Sequence, residues 1–376
     1  MKRPYLFLLA VVFCATAPGQ KRKVIIDQDG SGPGGSNQMA MMVLLQSPDV
    51  DVLGLTMVSG NAWRDEEVQH TLRMLELIGR TDVPVSPGAV YPLVRAQEET
   101  RLAFALYGKP VWLGAWGNRT ADVPLPEGSV LPAHMKAGRV LGPYEIPAMP
   151  EGKPSTAPLK EDAAHFVVRQ VRAHPGEVTI FAGGPLTNIA LAIAIEPRFA
   201  EMTRGIVLMG GSLNPQTEDP EFATSPRHEF NFWFDPEAAR IVLRAAWPRI
   251  EVTTVDVSIK AMFTEQMLAE ISKSPHPAAR YVAQYSQERY YLWDELAACA
   301  WLDPSIITRR RELYMDVDLS HGPSYGFTLT WVKDLKPATG VRLVQAQVDL
   351  DLPKFTRQFV RLMSAPAQGK TARGIQ

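Results

Sequence analysis

Apolar positions along this chain fall into two kinds of run that take turns. Short continuous stretches, rich in β-branched residues, occur at 24–26, 50–58, 83–85, 177–181, 206–209 and 251–257 and predict buried strands. Between them the apolar residues move to helical spacing. Residues 65–79 show it plainly, with Val68, Leu72, Leu75 and Ile78 on one face and Gly79 placed to end the helix. Further helices are predicted at 39–45, 160–173, 189–195, 235–243, 264–271, 277–291 and 295–302. The tail alternates at 313–317 and 342–348, as antiparallel or edge strands do, before a short final helix near 354–363. Strand and helix in alternation predict an α/β fold: a single open, mostly parallel, Rossmann-like sheet flanked by helices, with a few C-terminal antiparallel or edge strands.

Two segments stand outside this rhythm. Residues 92–157 are irregular and rich in Pro, Gly and Trp, and are expected to form an insertion or lid over a site. Residues 1–19 open with Lys2 and Arg3, continue with an apolar core from Tyr5 to Ala17, and offer small residues near Ala15-Thr16-Ala17. That is the pattern of a cleaved export signal, too short to span a bilayer. An exported protein, periplasmic or extracellular, is expected to start near Gln20 as one domain, 20–376. Cleavage would leave Cys299 as the only cysteine, so no internal disulfide is expected. Lys and Arg together number 39 against 40 Asp and Glu, a balance that implies no nucleic-acid partner and no membrane-binding patch.

Candidate chemistry gathers where predicted strands end. The first strand runs into Asp27-Gln28-Asp29 and then a glycine-rich loop, Gly30 to Gln38. Ligands in open α/β sheets bind beyond the carboxyl ends of the strands. Two acids there can hold a hard cation through oxygen, or cap the following helix. Other polar clusters are Asn61, Gly183 to Asn188, Glu229 with Asn231, and Trp293 with Asp294.

Taken in order, these clusters resemble the nucleoside hydrolases of the inosine–uridine-preferring family. The resemblance rests on Asp27-Gln28-Asp29, Gly60-Asn61, Gly184-Pro185-Leu186-Thr187-Asn188, Glu229-Phe230-Asn231 with Asp235-Pro236, and Trp293-Asp294, and covers nearly all of 20–376. It implies hydrolysis of a small-molecule ribonucleoside to ribose and free base by a Ca²⁺-bound water, and a homo-oligomer. Carried over residue by residue, it makes Asp29 a metal ligand and the base that deprotonates the water, with Asp27 supporting it. The Gly183 carbonyl and Asp294 would be further ligands. Asn61, Glu229 and Asn231 would bind the ribose. Trp293-Asp294 is similar to the purine-preferring branch, in which the Trp stacks on the base.

Two positions depart from the family pattern. Asn37-Gln38 stands where two adjacent Asp residues are usual. Asn37 then contacts ribose or caps the helix, and Gln38 offers the metal a neutral amide oxygen. Trp293 stands where many members carry a His that protonates the leaving base, and His228 is a candidate replacement acid. The competing functions are an active, purine-leaning hydrolase, a catalytically impaired ribosyl-binding protein of the same fold, and a hydrolase of another N-ribosyl compound.

Overall fold

The computed structural model describes residues 21–117, 140–287 and 289–368. The expected export signal, 1–19, and the middle of the expected lid, 118–139, lie outside the described residues.

Among the described residues nine strands form one sheet: β1 Arg22–Gln28, β2 Val50–Met57, β3 Val85–Pro87, β4 Val178–Ala182, β5 Gly205–Met209, β6 Ile250–Thr253, β7 Ile307–Val317, β8 Thr328–Trp331 and β9 Arg342–Leu350. Their order is β3-β2-β1-β4-β5-β6-β9-β7-β8. The seven from β3 to β9 run parallel, and β7 pairs antiparallel with both β9 and β8. The mostly parallel sheet with an antiparallel C-terminal edge is the expected fold.

The strands are apolar throughout because both faces are covered. Side chains alternate across the sheet. Val24 and Ile26 enter one core with Phe181, Val207 and Met209, under the helices Ser36–Leu45, Arg64–Ile78, Trp293–Leu302 and Leu352–Met363. Ile25 enters the other with Ile180, Ile206 and Leu208, under Ala163–Ala173, Thr187–Ile195 and Pro236–Arg244. The helix Ser36–Leu45 is buried from Asn37 to Leu45, which explains its unbroken apolar run. Gly79 ends Arg64–Ile78 as expected, with φ of 75°, a left-handed position that a Cβ would strain.

The strand order places the site. Chain progression reverses direction at β1, with β2 and β3 on one side and β4 to β6 on the other. The crevice at such a switch point lies beyond the ends of β1 and β4, where Asp29 and Gly183 leave their strands.

Two predicted elements are corrected and two further elements were not predicted. The strand expected over 251–257 ends at Thr253, and Val255–Ser258 is a helical turn. The helix expected over 277–291 ends at Tyr285; Arg289 adopts φ of 73°, which no helix continues through. The helix Gln97–Tyr107 and strand β8 escaped the pattern, the helix because only Thr100 of it is buried.

Two buried groups away from the switch point give the fold a pH dependence. Asp235 caps Pro236–Arg244, accepts hydrogen bonds from Ala238 N, Leu93 N and Thr187 Oγ1, and is pushed by burial from 3.8 up to about 6. Burial pushes the His70 imidazole down, but its bonds to Glu151 and Glu66 outweigh that and leave it raised. A raised folded pKa gives stability that is full below the unfolded value and lost as pH climbs through the folded one. The melting temperature is therefore expected to fall as pH rises from about 4 through about 6, where Asp235 titrates, and to fall further above the ordinary histidine range as His70 loses its proton; a rise with pH over that range would contradict these assignments.

Candidate functional site

β1 ends at Gln28, so the chain is already leaving the sheet when it reaches Asp29. Asp27, still on the strand, accepts from Thr56 Oγ1 (2.5 Å) and Asn188 Nδ2 (2.7 Å) and ties β1 to β2 and to the start of Thr187–Ile195. Burial pushes its carboxyl up to about 7. Gln28 and Asp29 instead turn to a point beyond the strand ends, and there they meet Gly183, which follows β4, and Asp294, in the first turn of Trp293–Leu302.

Four oxygens converge on that point. Asp29 Oδ1 lies 2.7 Å, Gln28 Oε1 2.8 Å, Asp294 Oδ2 2.8 Å and the Gly183 carbonyl 3.3 Å from one atom, Asn37 Nδ2. All these groups are buried. Asp29 Oδ2 accepts from the Asn61 backbone N–H at 3.0 Å. Burial, and then the neighbouring Asp294, hold the Asp29 carboxyl well above its ordinary range; burial and Glu229 do the same to Asp294. The Gln28 side chain, facing Asp294, partly offsets that rise.

The glycines here are steric requirements. A Cβ at Gly183 would overlap Gln28 Nε2 and lie 2.9 Å from Asp294 Cγ, and one at Gly60 would overlap Asp29 Oδ2. The cage closes only around bare backbone at both places.

The remaining expected residues surround it. Asn231 Nδ2 donates to Met209 O (3.0 Å) and Gly183 O (3.3 Å). Glu229 caps Phe230–Phe234, accepting from Asn231 N, Phe232 N and Gly211 N, and burial pushes it up to about 7. Asn61 Nδ2 donates to Asn37 Oδ1 at 3.1 Å, and Asn61 Oδ1 accepts from Trp112 Nε1 at 2.7 Å. Trp112 belongs to the described part of 92–157, and the neighbouring Ala115 N donates to Gly60 O, so that part lies against the site. Trp293, half-buried, meets Tyr291 (5.0 Å between ring centres) and Phe222 (5.9 Å) edge to face.

Three expectations change. Gln38 makes no bond to the cage: its Nε2 donates to Gly30 O and Thr71 Oγ1. Asn37 faces the cage while Gln38, about 100° further round the helix, faces Gly30 and Thr71, and Gln28 supplies the amide oxygen instead. Asn37 is not the helix cap; Gly35 holds that position and Asn37 lies inside the helix. His228 is buried against Trp233 and Phe327 and pushed down to about 3 by burial and Arg95, so it holds no proton to give at neutral pH. Sequence reasoning passed over Trp112, which sits in a segment without periodicity, and Glu221, whose carboxyl is pushed up to about 8 by burial and by Asp219 and Glu229.

The donor chemistry of the cage, carboxylates and carbonyls, suits a hard cation. Its geometry does not fit one. The centre is taken by a nitrogen bearing hydrogens, and among the described residues no cluster of three or more His, Cys, Asp or Glu side chains could hold a metal.

Comparison with known proteins identifies the family. The inosine-uridine preferring nucleoside hydrolase profile matches residues 24–357. The chain is 32% identical over 304 residues to a probable uridine nucleosidase 2 of Arabidopsis thaliana, covering 78% of this chain and 81% of that one. It is 30% identical over 261 residues to a pyrimidine-specific ribonucleoside hydrolase of Citrobacter koseri, covering 69% of each. In fold it is similar to a purine-preferring ribonucleoside hydrolase from Gardnerella vaginalis (TM-score 0.67, 23% identity, 91% of this chain and 98% of that one). An inosine-guanosine nucleoside hydrolase is similar too (TM-score 0.70, 21% identity, 92% and 99%). The family profile and the switch-point cage lead to one conclusion: this chain belongs to the inosine-uridine preferring nucleoside hydrolases, enzymes that hydrolyse the N-glycosidic bond of ribonucleosides.

Proposed function

We propose that the ribose of the substrate rests on the switch-point cage and that Asp29 takes the proton from the attacking water. The reading is carried by the convergence of Asp29 and Asp294 on one buried point at the ends of β1 and helix Trp293–Leu302. Breaking the C–N bond builds positive charge on the sugar, as in glycoside hydrolysis. Carboxylates fixed in a water-poor site stabilise that charge without reorganising. A carboxylate whose pKa is raised by burial is also a stronger base for the water. Asn61, Glu229 and Asn231 line the approach and supply the polar contacts for ribose hydroxyls. Asp27 holds the end of β1 in place through Thr56 and Asn188. The calcium that the resemblance implies has no step in this reading, because the cage centre does not accommodate it.

The base stacks on Trp293, in a wall completed by Tyr291 and Phe222. Stacking of a base on an aromatic side chain contributes about 1–3 kcal/mol, and the larger purine gains more contact, so the preference leans to purine. Glu221, adjacent to Phe222 in the chain and pushed up to about 8 chiefly by burial, is the candidate proton source on that side. Trp293→Ala is expected to raise KM for inosine by roughly 5- to 150-fold, with a smaller rise for uridine. The comparison is made by measuring kcat/KM for both substrates. Faster turnover of uridine by the native protein, with Trp293→Ala affecting both alike, would assign the pyrimidine preference carried in the names of the Arabidopsis and Citrobacter relatives.

A further inference from the structure

We propose that the Asn37 amide nitrogen occupies the cage centre in place of a cation, so that this chain binds nucleoside without calcium. The proposal rests on the cage being the sugar site described above. Three observations carry it. The first is distance. Calcium sits about 2.3–2.6 Å from its oxygen ligands, whereas the oxygens here stand 2.7, 2.8, 2.8 and 3.3 Å from Asn37 Nδ2, which are hydrogen-bond lengths.

The second is the direction of the amide. An indole N–H can only donate. Trp112 Nε1 donates to Asn61, which makes the acceptor atom Asn61 Oδ1 and leaves Asn61 Nδ2 as a donor toward Asn37. Asn37 must then offer its oxygen to Asn61 and its NH₂ to the cage. Turned the other way, Asn37 would set nitrogen against the Asn61 nitrogen and oxygen against four oxygens. A one-way chain of donors, Trp112 to Asn61 to Asn37 to the two carboxylates, thus fixes which end faces inward.

The third is charge. A cation among these oxygens is normally balanced by carboxylates, and this cage brings only Asp29 and Asp294. Asn37-Gln38 stands where the acids that complete the set are usual, and Asn37 puts at the centre a neutral group whose hydrogens repel a cation and satisfy the carboxylates instead. Gln38 does not compensate: its Nε2 turns to Gly30 and Thr71, and its oxygen makes no contact with the cage.

The test compares native protein with Asn37→Asp. Both are stripped with chelator, then offered Ca²⁺, and followed by metal analysis, calorimetry and thermal unfolding. Native protein is expected to retain no calcium, give no binding heat and keep its melting temperature. Asn37→Asp sets three carboxylates on one point. It is expected to be destabilised after stripping, to bind one Ca²⁺, and to gain about 5 °C or more in melting temperature at saturating Ca²⁺. Stoichiometric calcium in native protein, or a melting temperature that rises with Ca²⁺, overturns the proposal. So does a folded Asn37→Asp that takes up no calcium. Should that variant not fold, calorimetry on native protein decides alone: silence supports the proposal and a stoichiometric isotherm overturns it. Hydrolysis is assayed separately, so native protein that binds no calcium yet is inert toward nucleosides would sink the hydrolase reading and leave the amide's role standing.

Discussion

Asp29→Asn is expected to lower kcat for inosine hydrolysis by about 10²–10⁴-fold, the usual contribution of a positioned general base. Asn has nearly the shape of Asp, so the loss isolates chemistry from packing. Its single remaining oxygen can accept from the Asn37 amide or from the Asn61 backbone N–H but not from both, a loss set against the relief of crowding with Asp294. The substitution also removes one of the two charges that face the developing cation on the sugar. KM should change far less than kcat, because the proton transfer belongs to the transition state and not to ground-state binding. A drop in kcat/KM arising wholly from KM would make Asp29 a binding group. Because Asp29 is held well above the ordinary carboxylate range by burial and by Asp294, the variant should be no less stable than the native protein. An equal or higher melting temperature alongside lost turnover is the expected pair of results.

Gly183→Ala is expected to cost at least about 10²-fold in kcat, the scale of a misplacement near 1 Å among reacting groups. The added methyl group would overlap Gln28 Nε2 and press on Asp294 Cγ. Both are members of the cage. Gln28 can swing aside, being the end of a flexible side chain, but then its oxygen leaves the Asn37 amide. Asp294 sits in the first turn of a buried helix and has less freedom to move. The overall fold should survive, since the methyl group meets side-chain atoms and not the strands themselves. Circular dichroism and melting close to native, with turnover lost, would show that the site depends on bare backbone at this position. Full activity in Gly183→Ala would mean that Gln28 and Asp294 need not stand where they do.

The architecture was readable because each strand is buried on both faces and therefore continuous in its apolar run, and because each helix between strands keeps one or more apolar faces. The places where reading failed share a cause: the local pattern was not what decided the conformation. Val255 to Ser258 carries strand-like residues but folds as a helical turn once the chain clears the sheet edge. The helix Gln97–Tyr107 is mostly exposed and leaves little apolar stripe to detect.

The site divides in the same way. Asp29, Asp294 and Gly183 were legible as polar groups at strand ends and helix starts. Gln28 was not. Strict alternation would put it on the opposite side from both Asp27 and Asp29, but β1 ends at Gln28 and the alternation ends with it. Asp27 stays with the sheet, while Gln28 and Asp29 reach the cage together. Trp112 and Asn61 set the direction of the Asn37 amide through hydrogen bonds spanning 51 and 24 positions in sequence, which no spacing rule foresees.

The central claim, that the switch-point cage hydrolyses an N-ribosyl bond, is tested most directly by following ribose and base together after native protein is mixed with inosine. The account predicts equimolar ribose and hypoxanthine, released catalytically and reduced to background by Asp29→Asn. Native protein that releases neither product from any member of a ribonucleoside panel, yet binds ribose analogues by calorimetry, would contradict it and make the cage a sugar-binding pocket.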